Sequence, residues 1–473
     1  MEPFPKLGAA WTNGNLVWSE WAGQGQSIAQ TSPCDGSLIQ NATLLSGEEL
    51  SQLFQPQAPL EIGFGDVENF ALRLHSALKE LRNELFEAVQ RETGFIQRDC
   101  DELIEGSLAF NEQFIAEFGQ VKSAPGAPII YEANSQKRSI NLIRVPWGTV
   151  AIILPQNAFL LVGLTAILNG LITGNRVILR APLQSARSAL LLAHALKKAA
   201  VPYDAVSVVL CKSKEFVTAL CESSSPILLH YMGSSAHAPG ILQQTFEAGK
   251  GAIADGAGNV WVFVDEDQNP EQIAQILAEG ATRYNGQTCT SINGAIIHPA
   301  IYESVRDLLR ERLRVLQTGN PLQNDVCIGA LFDAKQAAWC ASQMQESGGK
   351  ILAGGASDGN YLPASLVEKP NPESSLVREG LFGPALWIAP GTRDDFVKLW
   401  PRNKYPLCAG VFSNSDKNWW LRYLPNAARI VFNGDTSIEH IFEPWGAYPA
   451  SGTNAVSLWH EKYTRVVSVD EAI

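Results

Sequence analysis

The sequence has 473 residues, 46% of them hydrophobic and 18% charged, which is enough chain for two or three domains with substantial cores. A formal net charge of -12 without any run of Lys and Arg excludes general affinity for nucleic acid or an anionic membrane. Small molecules are the expected partners, and the opening MEPFPKLGAAWTNG, with no basic segment leading into an apolar one, predicts a cytoplasmic location.

In chain order, the first regular signal is helical. Phe70, Leu74, Ala77, Leu78, Leu81, Leu85 and Val89 recur at intervals of three and four, which predicts one or two helices reaching to Gly94. Residues 123–145 read as an extended hairpin with turn residues in its middle. Its expected pairing partner is the final TRVVSVDEAI, where Val467 and Val469 flank Ser468 in edge-strand alternation.

From Val150 the texture changes. VAIIL reads as a strand, LVGLTAILNGLI as a helix, RVIL as a strand, ALLLAHALKKA as a helix and VSVVL as a strand. Such alternation implies parallel strands joined by crossover helices, an α/β arrangement. The apolar run 150–174 is nearly long enough to span a bilayer, but Pro155, Gln156, Asn157, Asn169 and three glycines interrupt it, so strand, polar turn and core helix account for it better. A second α/β region begins near residue 262, around the strand VWVFVD. It continues through the helix PEQIAQILAEGATRY, the strand GAIIH, the amphipathic YESVRDLLRERLRVL, then KQAAWCASQMQ and ALWIA.

Cysteines at 34, 100, 211, 221, 289, 327, 340 and 408 form no CxxC pair, and the histidines form no HExxH, so no metal site is expected. Cys289 stands in YNGQTCTS. Gly286 there permits close approach of the chain to something else, and backbone amides around a cysteine can hold an oxyanion. On those residues alone, core thiol and nucleophile both stay open.

Seven segments then occur in one order: VPWGTVAIILPQNAF, ITGNRVILRAP, MGSSA, GAIADGAGN, NGQTCTS, LFGP and PWGAYPASG. With these, the chain resembles the aldehyde dehydrogenase superfamily from WTNG to YTRVVSV. The resemblance implies two parallel-sheet α/β domains plus a small β oligomerisation segment. Residues 1–120 and 143–261 would form the cofactor-binding domain, 262–445 the catalytic domain, and 121–142 with 446–473 the segment that builds a homodimer or homotetramer. It also implies NAD(P)-dependent oxidation of an aldehyde to a carboxylic acid, with NAD and NADP both open. Cys289 would be the nucleophile, and the Asn157 amide with the Cys289 N–H would hold the oxyanion. A thioacyl enzyme would follow, released by water or another nucleophile. Pro155, Gln156, Arg180, Gly233, Ser234 and Phe382 would contact the cofactor.

Three departures from the family pattern bear on the reaction. Asp255 stands where a glutamate usually activates the deacylating water; its reach is shorter by about 1.5 Å, and its other reading is the first residue of an Asp-Gly turn. Gly380 in REGLFGP replaces the glutamate that usually meets the nicotinamide ribose, with Glu379 one residue early and directed to the opposite face. RAPL carries Arg180 and Leu183 in place of a lysine and a ribose-gripping glutamate, so NADP stays open. GAGN resembles the acylating branch of the superfamily, which makes coenzyme A the alternative acceptor. The lost glutamates leave a non-catalytic relative as a further reading. Phe159, Trp445 and Tyr448 are expected in a substrate tunnel or in the core, and Glu439 and His440 in the loop that closes over the substrate in this family.

Overall fold

A computed structural model describes residues 6–8, 19–22, 25–120, 129–133, 136–201, 205–323 and 325–473. Its first organising element is the strand Thr149–Ile153, in which Val150 to Ile153 are all buried. That strand is central in a five-stranded parallel sheet of order Gly251–Asp255, Ile227–Met232, Thr149–Ile153, Arg176–Arg180, Val206–Val209. Unbroken apolar runs suit strands covered on both faces. From the central strand the chain winds outward on one side and later returns to the other, so the order reverses beside Thr149–Ile153. A ligand crevice lies outside the carboxyl ends of the strands at such a reversal.

Helices Phe64–Glu80, Arg82–Thr93 and Gln97–Gln120 cover this sheet, with Phe70, Leu74 and Leu85 in the same core as Ile152 and Leu191. The expected helical stretch is thus two helices broken at Leu81. It ends at Gly94, whose left-handed φ of 72° closes the helix where a side chain would be strained. The apolar run 150–174 divides into a strand and the helix Phe159–Ile172, and no helix among the described residues is long and apolar enough to cross a membrane.

The second sheet has the order Lys350–Ala353, Ser365–Glu368, Ala385–Pro390, Ile292–Ile297, Val260–Val264, Cys408–Phe412, Arg429–Phe432, with only the first strand antiparallel. Trp261, Trp387 and Trp420 fill one face; helices Pro270–Thr282 and Pro299–Arg314 supply Ile273, Leu277 and Leu309 to the other. Residues 256–259 alone link the edge strand of the first sheet to the inner strand Val260–Val264 of the second. This crossing sets the carboxyl edge of the first sheet toward the amino edge of the second, where Ile292–Ile297 begins.

The expected terminal pairing is present: Thr464–Ala472 runs antiparallel to Gln136–Pro146, with Ser468 opposite Leu142, and Ile129–Ala133 joins on the far side. Residues 123–128 and 134–135 of the expected hairpin, and the WTNG segment, lie outside the described residues. Strands Ile227–Met232, Gly251–Asp255, Cys408–Phe412 and Arg429–Phe432 were not expected from the sequence. They are short, and a histidine, an aspartate or glycine interrupts several of them.

Candidate functional site

The loop carrying Cys289 is fixed before it reaches the thiol. Tyr284 and Asn285 take left-handed φ of 53° and 55°, and hydrogen bonds hold that conformation. The Tyr284 N–H donates to Asp99 Oδ2 at 2.9 Å. Asn285 Nδ2 donates to the carbonyls of Gly94 and Ala330 at 3.1 and 3.0 Å, while its Oδ1 accepts from the Gly329 N–H at 2.9 Å. Gly286 then passes so close to the LFGP turn that a Cβ would lie 2.2 Å from the Gly383 carbonyl oxygen, which identifies the segment its missing side chain admits. Behind the nucleophile, a Cβ on Gly258 would lie 1.9 Å from the Cys289 carbonyl oxygen. Cys289 is partly exposed, yet crowding by protein pushes its thiol well above the usual range, with Glu439 and then Asp255 adding to that shift. The resting group is a thiol, and a base must take its proton.

Asn157 stands in the turn after Thr149–Ile153, at the carboxyl edge of the first sheet and beside the strand-order reversal. With Gln156, Phe159, Glu92 and Ser188 it lines a small cavity. Gln156 Nε2 donates to the Glu92 carbonyl at 3.0 Å, which fixes the turn. Phe159 is buried in the core of the first sheet, whereas Tyr448 is exposed.

Asp255 is neither a free base nor only a turn residue. Its side chain is buried, and Oδ2 accepts from His230 Nε2 at 2.7 Å; His230 Nδ1 in turn accepts from the Tyr463 hydroxyl at 3.1 Å. Burial pushes the Asp255 carboxyl up, but the His230 hydrogen bond together with the charges of His230 and Lys462 outweighs it, and the net displacement is downward. Burial keeps His230 neutral. Oδ1 of Asp255 is buried without a partner among the described residues.

Of the positions assigned to the cofactor, Pro155 and Gln156 follow the strand Thr149–Ile153, and Gly233 and Ser234 follow the strand Ile227–Met232, all at the carboxyl edge of the first sheet. Gly233 ends the strand Ile227–Met232, where a Cβ would lie 2.7 Å from Tyr231 Oη, and Ser234 leads toward the helix Ala238–Glu247. The space beside Gly233 is taken by the Tyr231 ring, and what fits a dinucleotide here is the helix start at the carboxyl edge beside the strand-order reversal. Arg180 is placed differently. It is 8% exposed, its Nε donates to the Cys211 carbonyl at 3.0 Å, and burial lowers its pKa; this is the position of a strand-end cation held inside the fold. Phe382 is 37% exposed beside Phe332. Gly380 has φ 72°, and a Cβ there would lie 2.9 Å from Asn259 Oδ1. Glu379 does not fill its place, because it pairs with Lys404 at 3.2 Å. Among the described residues no cluster of ligating side chains could hold a metal ion.

Two carboxylates gain weight only in three dimensions. Glu92 is buried where it accepts from Gln30 Nε2 at 2.6 Å, from the Arg187 and Ser188 N–H groups at 2.7 and 3.1 Å and from the Ser188 hydroxyl; burial still pushes it up to about 7. Glu439 is the charge that bears most on Cys289. As a residue it is exposed, while the protein packed around its carboxyl raises its pKa. The only sequence signal for either was the loop position of Glu439.

A sequence model of the aldehyde dehydrogenase family matches residues 62–469. The chain is 24% identical over 438 residues to 3-sulfolactaldehyde dehydrogenase of Priestia aryabhattai, covering 90% of this chain and 88% of that protein. It is 26% identical over 322 residues to vanillin dehydrogenase of an Amycolatopsis species, covering 66% and 65%. Among solved structures, an indole-3-acetaldehyde dehydrogenase of P. syringae in complex with NAD+ superposes with a TM-score of 0.87 at 20% identity, over 99% of this chain and 97% of that one. An E. coli NADP-dependent enzyme superposes at 0.88 with 19% identity, over 99% and 98%. At those identities the structures bear on the fold alone.

Proposed function

The chain belongs to the aldehyde dehydrogenase family, by which it is an NAD(P)-dependent oxidoreductase, and on that premise we propose that Cys289 is the nucleophile that carries an aldehyde to a carboxylic acid. The observation that supports this most is a partly exposed thiol on a loop pinned by Asp99, Gly94 and Ala330, at the seam between the two sheets.

Cys289 loses its proton and attacks the aldehyde carbonyl carbon. The oxygen becomes an alkoxide that the Asn157 side-chain amide and the Cys289 N–H would receive. NAD or NADP, when bound, supplies the acceptor for the hydride leaving that carbon. Pro155, Gln156, Gly233 and Ser234 would hold it at the carboxyl edge of the first sheet. What remains on Cys289 is a thioester, activated for attack by a second nucleophile. Water is the proposed acceptor; coenzyme A, suggested by the Gly-Ala-Gly-Asn of residues 256–259, is the alternative. A cytoplasmic setting accords with eight free cysteines. A homodimer or homotetramer is supported by exposed Ile130, Leu142, Ile143, Val466 and Val469 on the three-stranded terminal sheet.

Stopped-flow formation of NAD(P)H by wild type and Cys289→Ala, across a panel of aldehydes with and without coenzyme A, tests this reading. A wild-type burst that disappears in the variant is expected. A later phase accelerated by coenzyme A would favour the acylating alternative, and the absence of a burst with every aldehyde would sink the thiol reading.

A further inference from the structure

The thioester on Cys289 needs an activated water, and the carboxylate in the family's usual place is engaged elsewhere. Asp255 gives one oxygen to buried His230, at 2.7 Å, and its pKa is lowered rather than raised toward neutrality. A general base works best with a pKa near the working pH and a free lone pair within reach of the water. We propose that Glu439 is the general base that activates the water releasing the acyl group from Cys289. This inference rests on the reading of Cys289 as the nucleophile.

Several contacts tie the loop that carries Glu439 to the nucleophile segment, and its carboxylate is the charge that bears most on the Cys289 thiol. The Thr436 hydroxyl donates to the Thr290 carbonyl at 3.1 Å, and both residues are buried, so the loop is tied to the residue directly after the nucleophile. Arg429 brackets Glu439 from the other side: Nη1 donates to the Thr436 carbonyl at 2.7 Å, Nη2 to the Ile438 carbonyl at 2.8 Å, and Nε to Glu443 at 2.7 Å. The Thr290 side chain and the Arg429 charge favour the ionised form of the Glu439 carboxyl, against the burial that raises its pKa. A carboxylate in a closing loop would ordinarily swing with the loop; these bonds fix its backbone on the strand Arg429–Phe432 and on the nucleophile segment. Its accessibility to water and the crowding that raises its pKa are both properties a base requires.

The step balances without an oxidant. Glu439 takes a proton from water as the water oxygen bonds to the thioester carbon. The C–S bond then breaks, and Glu439 returns the proton to the Cys289 sulfur, giving a carboxylic acid and free thiol.

The test uses the full chain and an aldehyde that gives a wild-type burst. Glu439→Gln is expected to retain the burst and lose steady-state turnover by about 100-fold or more. The acyl group should then persist on Cys289 by mass spectrometry, and hydroxylamine should restore product release. Glu439→Asp should regain part of the rate, and equal melting temperatures would show that both variants are folded. The acid limb of the wild-type kcat profile should vanish in Glu439→Gln, while the other groups facing that carboxyl, Arg429, Glu443, Cys289 and Cys408, are unchanged. Wild-type turnover in Glu439→Gln, an equal loss of burst and turnover, or a change in KM alone would overturn the proposal. A wild type that gives no burst with any aldehyde overturns the thiol reading first, a separate result that removes this step with it.

Discussion

Asp255 and His230 lie on adjacent parallel strands and share a hydrogen bond of 2.7 Å in the interior of the first sheet. With His230 neutral and Asp255 ionised, removing the imidazole would leave a buried charge whose Oδ1 already lacks a partner. His230→Leu is expected to cost about 3 kcal/mol, read as a lower urea midpoint. Because the Asp255 pKa is depressed in the folded state, the stabilisation it contributes is present above the unfolded carboxylate pKa. It is lost as pH falls through the folded value. The deficit of His230→Leu should therefore shrink in acid. A deficit that is constant with pH would remove the charge from the explanation.

Glu92 behaves with the opposite sign. Burial raises its pKa to about 7, so between the ordinary carboxylate range and neutrality the folded chain binds more protons than the unfolded one, and stability from this group falls as pH rises. Glu92→Gln keeps an oxygen for the Arg187 and Ser188 amides and offers an N–H to the Ser188 hydroxyl. It should flatten the decline of stability between about pH 5 and 8, a difference of at most about 3 kcal/mol. Denaturation curves of both proteins at several pH values measure it; parallel curves would place Glu92 outside the titration.

How far the sequence was legible follows from the range of the interactions. The helix end at Gly94 and the strands Thr149–Ile153, Arg176–Arg180 and Val206–Val209 of the first sheet were readable because period and apolar runs are local. Val467 and Val469 announced an edge strand for the same reason, and it pairs with Gln136–Pro146. Nothing local joins His230 to Asp255 or Glu439 to Cys289; those pairings come from strand order and from the loop bonds of Arg429. Arg180 shows the reverse case. A basic residue at a strand end reads as a ligand contact, and only the fold shows its guanidinium turned to the Cys211 carbonyl.

Restoring the family's glutamate at residue 380 should not restore its contact. The backbone there has φ 72°, and a Cβ would meet Asn259 Oδ1 at 2.9 Å and the Asn293 side chain at 3.1 Å. A left-handed, crowded side chain costs on the order of 1–3 kcal/mol. Gly380→Glu is expected to lower the melting temperature without tightening NAD or NADP in calorimetric titration. Tighter binding with unchanged stability would show that the turn can relax around the new side chain.

The terminal sheet supplies the last expectation. Leu142 lies opposite Ser468, and Val466 opposite Arg144, in an antiparallel pair. Alternation therefore puts Leu142 and Val466 on one face, exposed at 54% each. Branched apolar side chains on an open sheet face lose their water only if a second surface covers them. If a copy of this chain does so, two lysines on that face would oppose their symmetry mates and repel. Leu142→Lys with Val466→Lys is expected to shift the mass in light scattering from oligomer to monomer while the melting temperature at high dilution stays unchanged, because neither side chain packs on its own core. An unchanged oligomer would move the interface to the opposite face of the sheet, where Ile143 and Val469 lie, or away from this sheet altogether.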